Sequence, residues 1–178
     1  MRSINKIFIL ALIALVGFGC NKKLSVEPRQ NITPEQIRTS DDVKAVLYGA
    51  YSLMQGPNAF GQQYFLTSDL LANESQLNFV GTFLDYTDLQ KKIQINQNSL
   101  ALNMWANSYS IINVANTVID KSDLVSEDER DAVIAEARFI RGITYLELVQ
   151  FFALPYSDPA AAASPGVPLK DKPNYDYD

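Results

Sequence analysis

The sequence predicts an all-α fold built from helical hairpins. Three observations predict it. Apolar residues recur at helical spacing over three long stretches, near residues 40–54, 100–120 and 127–152. Helix-start signals stand before the first and the last of them. The two longest are joined by a short polar link, which turns one helix back along the other.

The chain opens with Arg2 and Lys6 and then runs from residue 7 to 18 without a polar side chain. A basic start, a short apolar run and small residues before a cut form a secretory signal. Twelve residues of helix rise only about 18 Å, against a hydrocarbon core of about 30 Å. The run therefore exports the chain without spanning a membrane. It ends in Gly17-Phe18-Gly19-Cys20, which resembles a bacterial lipobox, with Gly17 where leucine is usual. The reading is residues 1–19 as signal peptide and Cys20 as the lipid attachment site. Cys20 is the sole cysteine, so an intrachain disulfide is excluded. Residues 20–32 are polar and aperiodic and read as a tether from the lipid to the fold.

The helical domain is assigned to residues 33–178. Thr33-Pro34-Glu35-Gln36 places a capping residue, proline at the first helical position and glutamine at the third, which predicts one helical turn. Thr39 and Asp42 repeat that spacing and open a helix whose buried face is Val43, Val46, Leu47, Ala50, Tyr51 and Met54. Gly56-Pro57 stops it. A short helix is expected over residues 64–71. Residues 73–98, rich in Asn, Gln and Thr, are expected to form a long loop with little secondary structure. A helix over 100–120 carries Trp105, Tyr109, Ile112 and Ile119 on one face. Ser126-Glu127-Asp128-Glu129 reads as a capping box for a helix to Phe152, with Val133, Ala137, Ile140, Tyr145, Leu148 and Phe152 buried. Ala115, Ala135 and Ala137 are small enough to let the two helices approach. From Pro155 onward five prolines and Gly166 forbid further helix. The end at Asp178 reads as cut off.

Composition narrows the function. The chain has no histidine, which removes the commonest general base and transition-metal ligand. With Cys20 lipidated, Ser-His-Asp, Cys-His and zinc chemistry are excluded, and no cofactor is expected. Losing Arg2 and Lys6 leaves 13 basic residues against 20 acidic ones. No basic cluster remains to neutralise phosphates, so nucleic acid is excluded as a partner.

Several segments in order resemble one family. They are Ser40-Asp41-Asp42 leading to Tyr48-Gly49-Ala50-Tyr51, then Ser68-Asp69 and Asn73-Glu74-Ser75, then Trp105, Tyr109, Ile112 and Asn116 on one helix. Most specific is Ala135-Glu136-Ala137-Arg138-Phe139-Ile140-Arg141-Gly142, followed by Phe151-Phe152-Ala153-Leu154-Pro155-Tyr156 and Pro165-Gly166-Val167-Pro168-Leu169. Behind a lipobox, this series resembles the N-terminal part of the SusD/RagB outer-membrane nutrient-binding lipoproteins of Bacteroidetes. The resemblance implies tetratricopeptide-like helix pairs. It implies a lipid-anchored, non-catalytic protein that captures glycans or other nutrients for a TonB-dependent SusC-like transporter in the outer membrane. Members run to several hundred residues, so the chain reads as the N-terminal third. Asn21-Lys22-Lys23 lacks the acids that often direct such proteins to the surface, which leaves the leaflet open. Two other readings stand beside it: a helical lipoprotein that only docks a partner protein, and a surface glycoside hydrolase using two carboxylates.

Individual residues have plain readings as well. Trp105 reads as core at helix spacing rather than a sugar platform. Arg141 reads as a structural pair with Glu136 or a buried carboxylate. Asp69 and Glu74 read as capping or surface groups, and the acidic run 123–131 as a solvated helix start that lacks a calcium loop's pattern. Tyr175 and Tyr177 read as a disordered end. The loop carries the ligand candidates. Sugars need a flat aromatic face for the ring and amides for the hydroxyls. Asn78, Phe79 and Tyr86 are the candidate contacts, with plain anchoring of the loop by buried aromatics as the competing reading.

Overall fold

The structure is a computed structural model that describes residues 33–72, 77–93 and 97–175. The signal peptide, Cys20, the tether, Asn73-Glu74-Ser75 and Tyr177 lie outside the described residues. The described chain is all helical, without a strand, as the periodicity predicts.

Residues Pro34–Gln36 form a 3-10 turn capped by Thr33. Helix α1, Ser40–Met54, starts at a complete capping box. The Asp42 N–H donates to the Thr39 hydroxyl at 3.2 Å, and the Thr39 N–H returns a bond to the Asp42 carboxylate at 2.9 Å. Val43, Val46, Leu47 and Ala50 are buried on its inner face. The connection to the next helix folds back so tightly that any side chain at Gly61 would strike the Gln55 carbonyl oxygen.

Helix α2, Gln63–Ala72, buries Gln63, Tyr64, Thr67 and Leu70. Its buried polar atoms are satisfied. The Gln63 amide donates to Thr67 at 2.7 Å, and the Tyr64 and Ser108 hydroxyls share a bond at 2.6 Å.

The expected loop 73–98 holds a helix. Helix α3, Leu84–Gln90, corrects that expectation. With seven residues and Leu89 alone fully inside, it is too short to display a repeating apolar face. Its first turn is tied to the next helix, because Asp85 accepts bonds from the Ser99 backbone and hydroxyl. Asn98 caps helix α4, Ser99–Asp120, by accepting from the Leu100 and Ala101 N–H groups at 3.1 Å each.

A 3-10 turn at Ser122–Leu124 leads into helix α5, Glu127–Phe152. Early α4 meets late α5 at Trp105 and Phe152, and later α4 meets earlier α5 at Asn116 and Arg141. The pair is therefore antiparallel, as the short link predicts. Ala115 and Ala137 are completely buried where the helices approach, whereas Ala135 is exposed and has no part in it. Val43, Leu47, Ile111, Val118 and Ile140 belong to one core between α1 and this hairpin.

The expected cap at Ser126 differs in detail. Its hydroxyl donates to the Glu129 carboxylate at 2.9 Å instead of accepting a backbone N–H. Glu129 is also held by Lys44 of α1 at 2.9 Å, and that pull explains the altered geometry. After Phe152 the chain leaves the helix, turns at Ala161–Ala163, and passes Gly166 at φ +64°, a conformation that suits glycine. It then runs back over α4 and α5.

Candidate functional site

Two surfaces gather chemistry-bearing side chains. The first lies on residues 77–90. Phe79 and Tyr86 stand with ring centroids 5.1 Å apart, and Phe83 and Tyr86 with theirs 6.0 Å apart. Gln90 holds the turn closed. Its carbonyl accepts the Phe79 N–H at 2.8 Å, and its amide donates to the Asn78 side chain at 2.8 Å. Gln62 reaches across from the α1–α2 connection to donate to the Tyr86 hydroxyl at 3.2 Å. The structure thus brings Asn78, Phe79 and Tyr86 into one cluster. Asn78 is exposed and both rings are half-buried. Phe83 is 60% exposed and Val80 94%, so the patch is open and largely apolar.

Sequence reasoning missed Gln62 and Gln90 here. Their signal was weak, because a Gln that bonds a distant segment looks in sequence like any solvated Gln.

The second surface is made where residues 168–175 cross α4 and α5. The Tyr109 hydroxyl donates to the Pro168 carbonyl at 2.8 Å. Asn116 donates to the Lys170 and Lys172 carbonyls at 3.0 and 3.2 Å. Asn113 donates to the Asn174 carbonyl at 3.0 Å and accepts the Asn174 N–H at 2.6 Å. From α5, the Tyr145 hydroxyl bonds both the N–H and the carbonyl of Lys170. Polar side chains of two helices therefore take the place of a neighbouring strand, satisfying a backbone that has no ladder of its own. Tyr175 ends this strap. Its hydroxyl donates to Asp120 at 2.8 Å, with the Lys121 ammonium 5.6 Å from its ring. The expected disordered end is corrected at Tyr175.

Beside the strap lies a groove of about 540 Å³, with Trp105, Tyr109 and Ile112 on its floor and Lys170 and Lys172 on its rim. Ile112 is fully buried, but Trp105 and Tyr109 are half-buried. The expectation that Trp105 is core therefore holds on one side only. Its ring packs edge-on against Phe152 at 5.0 Å and leaves the rest facing the groove. Helical spacing reports which face a residue takes and not how far the next element covers it.

Arg141 does not meet Glu136. It donates to the Asn116 side-chain oxygen at 2.8 Å, while Glu136 accepts from Tyr51 at 2.9 Å. Asp69 is exposed on α2. Glu147 is the carboxyl that burial pushes above its ordinary range, and burial is its sole cause. It also helps raise the Tyr64 phenol, after burial itself. Among the described residues no group of acidic side chains is arranged to hold a metal ion. No helix of the described residues is long and apolar enough to cross a membrane.

Residues 24–178 match a SusD-like family model described as starch-binding and associating with the outer membrane. The chain is 30% identical to SusD-like protein P2 of Formosa agariphila over 89% of its own length and 32% of that protein's. It is 25% identical to SusD-like protein P25 of the same organism, over 84% of its length and 30% of that protein's. It therefore spans about a third of the length of these curated relatives. No solved structure gives a significant match. With the family model covering nearly the whole chain and the expected helices in the expected order, the chain belongs to the SusD-like family.

Proposed function

We propose that this chain is the glycan-binding part of a cell-envelope lipoprotein that hands its ligand to a TonB-dependent SusC-like transporter, without catalysis. The observation that carries the reading is the open aromatic cluster of Phe79, Phe83 and Tyr86 edged by the Asn78 and Gln90 amides. The tilted rings expose aromatic faces to a sugar ring, and amides at the edge offer both a donor and an acceptor to its hydroxyls. Family membership supports the ligand class and the outer-membrane setting. Cys20, the proposed lipid attachment site, supports anchoring.

An open patch leaves much of a sugar solvated, so capture by this surface alone is weak, on the order of millimolar or about −4 kcal/mol. Calorimetry against a panel of neutral oligosaccharides tests it. Phe79→Ala and Tyr86→Ala should each abolish the binding heat without lowering the melting temperature by more than a few degrees. No binding by the parent protein, or binding unaffected by both changes, would overturn the assignment. Release of reducing sugar would overturn the non-catalytic part.

The adaptor reading has one observation in its favour, the apolar side chains left exposed on α5, Phe139, Leu146 and Val149. Retention of a co-encoded transporter by a Phe79→Ala protein that no longer binds sugar would separate docking from capture.

A further inference from the structure

The groove over Trp105 has a chemistry of its own, different from that of the Phe79 cluster. Its floor is aromatic, with Trp105 and Tyr109 centroids 4.9 Å apart. No acidic side chain lines it, and the Asn113 amide is committed to the Asn174 backbone. Three side-chain donors remain without a hydrogen bond or ion pair among the described residues: the Trp105 indole N–H and the ammonium groups of Lys170 and Lys172. Two of the three are cationic, on a chain of net charge −5.

The strap sets the placement of the two lysines. Asn116 bonds the carbonyls of both Lys170 and Lys172, so both carbonyls face α4. Lys170 and Lys172 both line the groove, and Asp171 between them does not. The fold therefore separates two positive charges from the acid that neighbours them in sequence.

A neutral sugar presents hydroxyls that need acceptors as well as donors. A groove whose uncommitted side-chain donors include two cations, with no carboxylate beside them, is matched best by a ring bearing anionic oxygens. We infer that the Trp105 groove is a saccharide subsite for anionic sugars, carboxylated or sulfated. The ring stacks on Trp105, and its anionic group is paired by Lys170 and Lys172. The inference rests on the reading of this protein as a saccharide binder and names a second, charge-selective surface on it.

Trp105 is the chain's sole tryptophan, so its fluorescence reports this groove directly. The full chain in detergent is titrated with hexagalacturonate, sulfated maltohexaose and plain maltohexaose, with calorimetry in parallel. One or both anionic sugars should shift the emission saturably, and which of them does so distinguishes carboxylate from sulfate. The Lys170→Met/Lys172→Met double change should weaken that binding at least tenfold. The same pair of changes at Lys91 and Lys92, also exposed, should leave it unaltered. Rising salt should weaken it too.

A response of equal size to maltohexaose, to inorganic sulfate alone, or in the Lys170→Met/Lys172→Met protein would overturn the inference. If neutral sugar binds in a Phe79-dependent way while neither anionic sugar moves Trp105, the groove assignment fails and the capture function stands. If no sugar binds at all, both fail.

Discussion

The Arg141 guanidinium donates to the Asn116 side-chain oxygen across 2.8 Å, and this decides which way a buried amide faces. With its oxygen held from α5, Asn116 turns its NH2 toward the strap, where both protons meet carbonyls. Asn116→Ala removes the donor from two carbonyls and the acceptor from a guanidinium. Leaving such groups unpaired costs about 1–3 kcal/mol. The loss should appear in thermal melting, and hydrogen exchange over residues 168–175 should rise while α4 stays protected. If Arg141→Met acts through the same amide, its effect and that of Asn116→Ala will be less than additive.

Trp105→Ala probes the half-covered floor of the groove. Truncating a fully buried tryptophan costs about 3–5 kcal/mol. Trp105 packs on Phe152 and Tyr109 but keeps one side open, so a loss of about 3 kcal/mol or less is expected. The variant should fold and melt at a lower temperature. A failure to fold at all would mean that Trp105 supports the hairpin from within.

Glu147→Gln should stabilise the protein at neutral pH. Burial raises the Glu147 pKa, so the folded state favours the protonated form. An acid with a raised folded pKa has its full stability below the unfolded value and loses it as pH rises through the folded one. Glutamine resembles the protonated acid and avoids that loss. The melting temperature of the variant should exceed the parent's at pH 7, and the gap should close toward pH 4.

Acid should act oppositely at the α1–α5 contact. The hydrogen bond from Lys44 is the largest influence lowering the Glu129 pKa, followed by that from Ser126. Asp42 is lowered too, first by the Arg38 backbone N–H and then by Thr39. A depressed carboxyl contributes stability above its unfolded pKa and loses it as pH falls through the folded value. Both groups are exposed, so the effect is small and screened by salt. Lys44→Met should flatten part of the decline in melting temperature below about pH 4. An unchanged acid limb would show that the pair contributes nothing.

The strong helices were legible because their signals are local. The Thr39 and Asp42 box, the apolar spacing through α1, α4 and α5, and the short link before Glu127 each specify backbone conformation within a few residues of themselves. The rest depended on partners distant in sequence. Leu89 anchors α3 with too few residues to show a period. The Ser126 hydroxyl turned to Glu129, which Lys44 holds from 85 residues away. Arg141 passed over the acids of its own helix for an amide on the preceding one. Tyr145 read as part of a buried face and Asn116 as one member of a helical series, and neither reading foretold that residues 168–175 would be laid across them. The segment's prolines and Gly166 ruled out a helix there and said nothing of what would satisfy its carbonyls. Spacing along a chain dictates which groups point the same way, because backbone geometry is local. Whether a ring is half-covered, or two lysines line one groove with a tryptophan, is decided by which surfaces pack, and that is a property of the whole fold.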